Sequence, residues 1–191
     1  MLITDRLTTP PAEEPITVSE LKAHLRITSD EEDTELAGYI ASAREYYEGQ
    51  TGRALVTQSR TAAFDEFPVG GGAVTFGRVP LTSVAAVKYL DGELVERTLG
   101  GTAYYADTIG EPGSISLRPG QSWPATATVS NAVRVEYTCG TEAASVSAVA
   151  RQAILFLAAH FFENRVPVNI SATASDVPLT LQALIWSDRI H

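Results

Sequence analysis

The chemically richest stretch is AILFLAAHFFENR, residues 153–165, where an almost unbroken apolar run carries His160 and, three residues later, Glu163. Residues three apart share a helix face, so this imidazole and carboxylate could hold one metal ion or exchange one proton. The pair has too little company for either. A di-iron bundle uses Glu-x-x-His on two helices and a Glu from each of two more. This chain has the reversed order once, and its other histidines are His24 and the terminal His191. A catalytic zinc ion wants a third ligand, which no second cluster supplies. His160 therefore reads as a structural residue in or beside the core, hydrogen-bonded to a neighbouring helix. The helix around it is apolar enough to be expected buried on all sides.

Three other segments invite chemistry and lose it on inspection. SDEEDTE, residues 29–35, lacks the alternating ligands, central glycine and closing glutamate of a calcium loop. Carboxylates opening a helix instead complement its free N–H groups and the positive end of its dipole. RPGQSWPAT, residues 118–126, resembles a nucleophile elbow at Ser122, but Pro124 stands where the second glycine should be and no helix follows. It reads as a loop that tucks Trp123 against a β lobe. Gly70, Gly71 and Gly72 are not followed by Lys-Ser/Thr and open no helix, so they do not cradle phosphate. They read as a loop tip of the kind that touches partners.

The elements that must position these residues follow from the period of the apolar positions. Residues 1–16, with Pro10, Pro11 and Pro15, read as an extended N-terminal arm. Thr17 and Glu20 form a capping box, and Val18, Leu21 and Leu25 mark a short amphipathic helix. Ser29 and Glu32 repeat the signal, and Leu36, Ile40, Ala43 and Tyr47 continue it until Gly49 and Gly52, so the first half of a helical part spans 17–52. Residues 53–140 form a β-rich insert of seven short Val-, Thr- and Tyr-rich segments, with Asp91-Gly92 as a two-residue hairpin and GEPGS at 110–114 as another turn. Helical period returns over 141–165, and Pro167 lies just past its end. Residues 166–191 form a polar tail ending in a short helix from about Pro178. The expectation is an α+β fold: terminal helices in a small bundle, with an antiparallel β lobe inserted between the second and third helices.

Composition limits the function classes. The 191 residues are 45% hydrophobic and 19% charged, as in a soluble globular protein. The longest apolar run, Ala153–Phe162, is far short of the roughly 20 residues that cross a bilayer, and no signal core is visible, so no membrane association and folding in the cytoplasm are expected. One cysteine, Cys139, leaves no internal disulfide. Net charge is −9, and residues 1–52 hold 11 of the 23 Asp and Glu but 4 of the 14 Lys and Arg. Such a surface repels phosphate backbones, so DNA meeting it is expected to slide past.

Taken in order and at their spacing, ITVSELKAHLRI, ELAGYIASAREYYEGQTGRAL, QSWPAT and RQAILFLAAHFFENR resemble the head–tail connector, or head-completion, proteins of long-tailed phages and gene transfer agents. The resemblance covers residues 15 to 165, with a weaker match in VPLTLQALIWSDRI, and is to the larger type with a β insert. It implies a non-enzymatic structural virion protein without cofactor or metal, assembled in the host cytoplasm and located at the head–tail interface. Its implied partners are its own copies, in a ring of twelve, the portal protein, and a stopper or tail-completion protein, with DNA passing through the channel unbound. On that footing Leu181, Leu184, Ile185 and Trp186 are expected to anchor a tail that orders on meeting its partner, the alternative being that they fold back on their own domain. Two other function classes stay open: a metal-dependent enzyme at His160 and Glu163, and a ligand-binding β lobe near Trp123.

Overall fold

The structure, a computed structural model, describes the backbone of residues 2–164 and 179–190 and the side chains of 4–164 and 182–190. The chain divides into two compact units. One joins residues 1–12 to 57–141, and the other joins 13–56 to 142–191.

The first unit is built on strands. β1 (Leu2–Thr9), β2 (Gln58–Phe64), β3 (Val74–Thr75), β4 (Leu81–Leu90), β5 (Glu96–Leu99), β6 (Tyr104–Asp107), β7 (Ser114–Leu117) and β8 (Val133–Cys139) follow in chain order. They form a five-stranded sheet, β1-β2-β8-β4-β5, and a three-stranded sheet, β3-β7-β6, antiparallel throughout. β8 shows why these residues make a sheet: Val133, Val135, Tyr137 and Cys139 are buried on one face, while Arg134, Glu136 and Thr138 between them face partly outward. Phe76 packs on Tyr137 with ring centroids 4.6 Å apart.

Seven strands fall in the seven segments expected from the sequence; the eighth, β1, lies within the stretch read as an extended arm. It is fastened to the sheet by Asp5, whose carboxylate accepts from Arg60 Nε at 3.0 Å and from the Tyr137 hydroxyl at 2.9 Å. Gln58 Oε1 and the Asp5 carbonyl take two more Arg60 donors at 3.1 Å each. The turn at Asp91 also differs from expectation. Asp91 N–H donates to the Val95 carbonyl at 3.0 Å, leaving a three-residue loop with Leu94 in the left-handed region (φ 63°). The Asp91 carboxylate selects that longer loop by accepting the N–H groups of Glu93 and Val95, both at 3.0 Å, and Arg97 Nε at 2.8 Å.

The second unit is helical: α1 (Val18–Leu25), α2 (Asp33–Thr51), α3 (Ala148–Glu163) and α4 (Leu179–Ser187). Thr17 and Glu20 close the capping box on α1. The second expected box does not form. α2 starts at Asp33 behind Glu32, which makes no capping bond, and the Ser29 hydroxyl instead accepts the Glu31 N–H at 3.3 Å. Gly52 ends α2 in the left-handed region (φ 78°), as a C-cap requires. The core joins Leu21, Leu36, Ile40, Tyr47, Ile154 and Leu157 with Ile185 of α4. α3 is not buried on all sides as expected. Ala150, Ala153, Ile154, Leu157 and Ala158 face the other helices, while Val149 and Phe156 are 43% and 40% exposed, the Phe156 ring meeting His24 of α1 at 5.8 Å.

Inside this unit Arg44 is almost wholly buried. Its Nε donates to Glu14 at 2.7 Å and its Nη1 to Glu48 at 3.3 Å, and Glu48 also accepts the Leu55 N–H at 2.8 Å. Burial pulls the guanidinium pKa down, but the Glu14 hydrogen bond and the charges of Glu14, Glu48 and Glu45 more than reverse this. The network ties the segments before and after the first two helices to α2.

Candidate docking surfaces

The residues singled out in the sequence divide between the two units. In the β unit, Gly70–Gly72 and the QSWPAT loop meet, through Gly72 and Trp123, 51 positions apart in the chain. Pro68 leads into a single 3₁₀ turn, Val69–Gly71, in which Gly70 and Gly71 both take positive φ (73° and 78°), a conformation that would strain any other residue type. Trp123 Nε1 donates to the Gly72 carbonyl at 3.0 Å, and the indole stacks on Phe67 at 4.6 Å with planes 4° apart. Phe67 in turn meets Tyr89 edge-on at 6.0 Å. Trp123 thus holds the glycine turn from behind.

The result is a cleft of about 590 Å³ lined by Glu66, Phe67, Pro68, Leu117, Gln121 and Trp123, with Val69 at its lip 89% exposed. Ser122 also lines it, and among the described residues no base hydrogen-bonds to it. The β6–β7 connection adds another exposed apolar tip, Ile109, 88% exposed. There the Asp107 carboxylate accepts the Gly110 and Ile109 N–H groups, which hold its pKa below the usual carboxylate range. A rigid loop with an exposed apolar tip has little conformational entropy to lose on contact, which suits protein docking.

In the helical unit the four tail positions separate. Ile185 is buried in the core and Leu184 packs partly against it, while Trp186 is 65% exposed under the Arg189 guanidinium, 6.0 Å from the ring centre. The side chain of Leu181 lies outside the described residues. Asp188 closes the helix onto α2: it accepts from the Tyr47 hydroxyl at 2.8 Å and pairs with Arg53 Nε at 3.1 Å. Burial, then the Asp188 hydrogen bond, pushes the Tyr47 phenol well above its ordinary pKa. The Ile190 N–H reaches the Thr51 carbonyl at 3.1 Å. Asp188 and Arg53 carried no periodic signal; only the fold brings them together.

Among the described residues His160 bonds within its own helical segment, its Nδ1 3.2 Å from Asn164 Nδ2, and not to a neighbouring helix as expected. The reason is local: Asn164 is one turn on and also caps the His160 carbonyl at 2.8 Å. Glu163 is exposed. Among the described residues no three His, Cys, Asp or Glu side chains lie close enough together to hold a metal ion. The acidic segment 29–35 does open α2 with Asp33 and Glu35, and two of its carboxylates serve a further end. Lys22 Nζ donates to Asp30 and, at 2.8 Å, to Asp33, and these hydrogen bonds raise the lysine pKa.

The family model described as "Phage gp6-like head-tail connector protein" matches residues 15–107. The fold is similar to a chain in the neck of an empty gene transfer agent particle computed with C6 symmetry (TM-score 0.78, 23% identity, 98% of this chain and 95% of that chain covered). It is equally similar to a chain in the virion of a native gene transfer agent particle (TM-score 0.76, 23% identity, 98% and 95%). A chain in the neck of a native particle computed with C12 symmetry matches too (TM-score 0.74, 24% identity, 99% and 94%). No curated protein sequence matches. At these identities the likeness to the solved structures concerns the fold.

Proposed function

We propose, from the match of residues 15–107 to the model of the phage gp6-like head-tail connector family, that the chain is a structural connector subunit at the joint between a phage or phage-like head and its tail. The family match carries this reading, and the near-complete overlap with neck and virion chains of gene transfer agents supports it. The subunit acts by surfaces. Copies form a ring, of twelve by analogy with the neck computed in C12 symmetry, which extends the DNA channel below the portal protein and presents its far side to a stopper or tail-completion protein. The glycine turn braced by Trp123 and the exposed Trp186 are the partner contacts, and the net charge of −9 keeps packaged DNA from adhering to the channel. The site of action is the virion, after assembly in the host cytoplasm.

The test is to mix the full chain with the cognate portal protein and image the product by electron microscopy, alongside a strain lacking the gene. Rings on the portal, and DNA-filled heads without tails in the deletion strain, are the expected results. Normal tailed particles from the deletion strain would overturn the proposal.

A further inference from the structure

One more pocket, of about 350 Å³, lies on the β unit, and neither loop contact uses it. Thr4, Arg6 and Thr8 of β1, Thr61 of β2, and Asn131 and Arg134 at β8 line it. The register brings them together: Thr4 and Arg134 both pair with Ala63, and Arg6 pairs with Thr61. Thus two cations of a strongly acidic chain share one pocket. Arg6 is exposed, and its side chain has no ion pair or hydrogen bond among the described residues. Arg134 is held at one nitrogen, Nη2 to Glu96 at 2.9 Å, while its Nε is buried without an acceptor. The nearby carboxylates are already engaged, Glu136 by Lys88 at 2.6 Å and Glu96 by Arg134 itself. A buried N–H left unpaired is a cost that native proteins rarely leave standing, and a guanidinium held at one corner can turn to meet an anion.

The chemistry calls for an oxyanion, and a planar carboxylate matches the guanidinium fork. Its source follows from the charge distribution. An exposed source of that group lies on the chain itself, in its acidic segment 29–35: the Asp30 side chain is 88% exposed and Glu31 is exposed beside it. We propose that this pocket receives a carboxylate from residues 29–35 of a second copy, Glu31 foremost, as a contact between neighbours in the ring. Two different surfaces of one chain then meet, the head-to-tail arrangement that closes into rings. The inference rests on the ring reading above.

The test uses the full chain titrated onto portal protein, with ring formation read by electron microscopy and sedimentation. Arg6→Glu and Glu31→Arg are each expected to raise the concentration for half-maximal ring formation by about tenfold or more, with the effect shrinking at high salt. The double variant Arg6→Glu/Glu31→Arg is expected to recover most of the loss. Arg134→Gln, which keeps shape and removes charge, is expected to act like Arg6→Glu. Rings from wild type and single variants alike would overturn the contact while leaving the connector reading intact. So would losses that the double variant does not recover, or an Arg134 signal that shifts with inorganic phosphate while Glu31→Arg assembles normally. No ring from wild type on its portal would remove the connector reading, and the contact with it.

Discussion

Removing the Asp5 carboxylate isolates what holds the first strand in the sheet. Its oxygens take a charged donor, Arg60 Nε at 3.0 Å, and a hydroxyl, Tyr137 at 2.9 Å, with the Asp5 and Arg60 side chains only 12% and 10% exposed. A hydrogen bond to a charged group contributes about 1.5–3 kcal/mol and a neutral one about 1 kcal/mol. Breaking a buried ion pair costs about 3–5 kcal/mol because the survivor is stranded. Here Arg60 keeps two donors satisfied by Gln58 Oε1 and the Asp5 carbonyl, both of which survive truncation. Asp5→Ala is therefore expected to cost about 3 kcal/mol, the lower end of the ion-pair range. Native-state hydrogen exchange by mass spectrometry reads this locally. Peptides covering β1 and β2 should lose about a hundredfold in protection, while those covering α2 and α3 stay unchanged. Asp5→Asn, which retains an acceptor, should lose less. A drop under about fivefold in Asp5→Ala would show that backbone pairing alone holds the strand and that the network is incidental.

Gly113→Ala is expected to lower the melting temperature, because a Cβ there would sit 2.4 Å from the Leu81 Cβ, which cannot rotate away. Overpacking of this kind costs about 1–3 kcal/mol, and a melt by circular dichroism with no shift would contradict it. Ile185→Ala should destabilise the helical unit by about 2–5 kcal/mol in chemical denaturation, whereas Trp186→Ala should leave stability within about 0.5 kcal/mol and weaken attachment to the portal. Equal effects of the two variants on both measurements would refute the division of roles. Tyr137, through burial and then the Asp5 charge, and Tyr47, through burial and then Asp188, both have raised pKa values in the folded chain. Raised values favour the neutral phenol in the fold, so their contribution is full below the unfolded value of about 10 and is lost as pH rises past it. Phenolate absorbance should accordingly show two tyrosines titrating only as the protein unfolds in alkali.

The α+β order, the helices after Thr17 and within 148–163, and the seven insert strands were legible in the sequence, because each rests on local forces. The capping box on α1, the alternation along VRVEYTC and the left-handed Gly52 involve residues within a few positions of one another. The same locality misled at Ser29 and at Asp91-Gly92, where a side chain reached a different N–H and lengthened the turn.

What the tertiary structure decided is long-range. Whether the first residues are free or paired depended on Asp5 finding Arg60 and Tyr137, 55 and 132 positions away. Trp123 and the triple glycine are separate features of the sequence, and only the fold makes them one cleft. Arg6 and Arg134 are single cations in the sequence, and antiparallel register alone sets them in one pocket. Sequence patterns report the period of burial, which a helix or strand settles within itself. Which polar groups meet is settled by strands that pair across the chain, where the buried ones must find partners or leave their hydrogen bonds unmade.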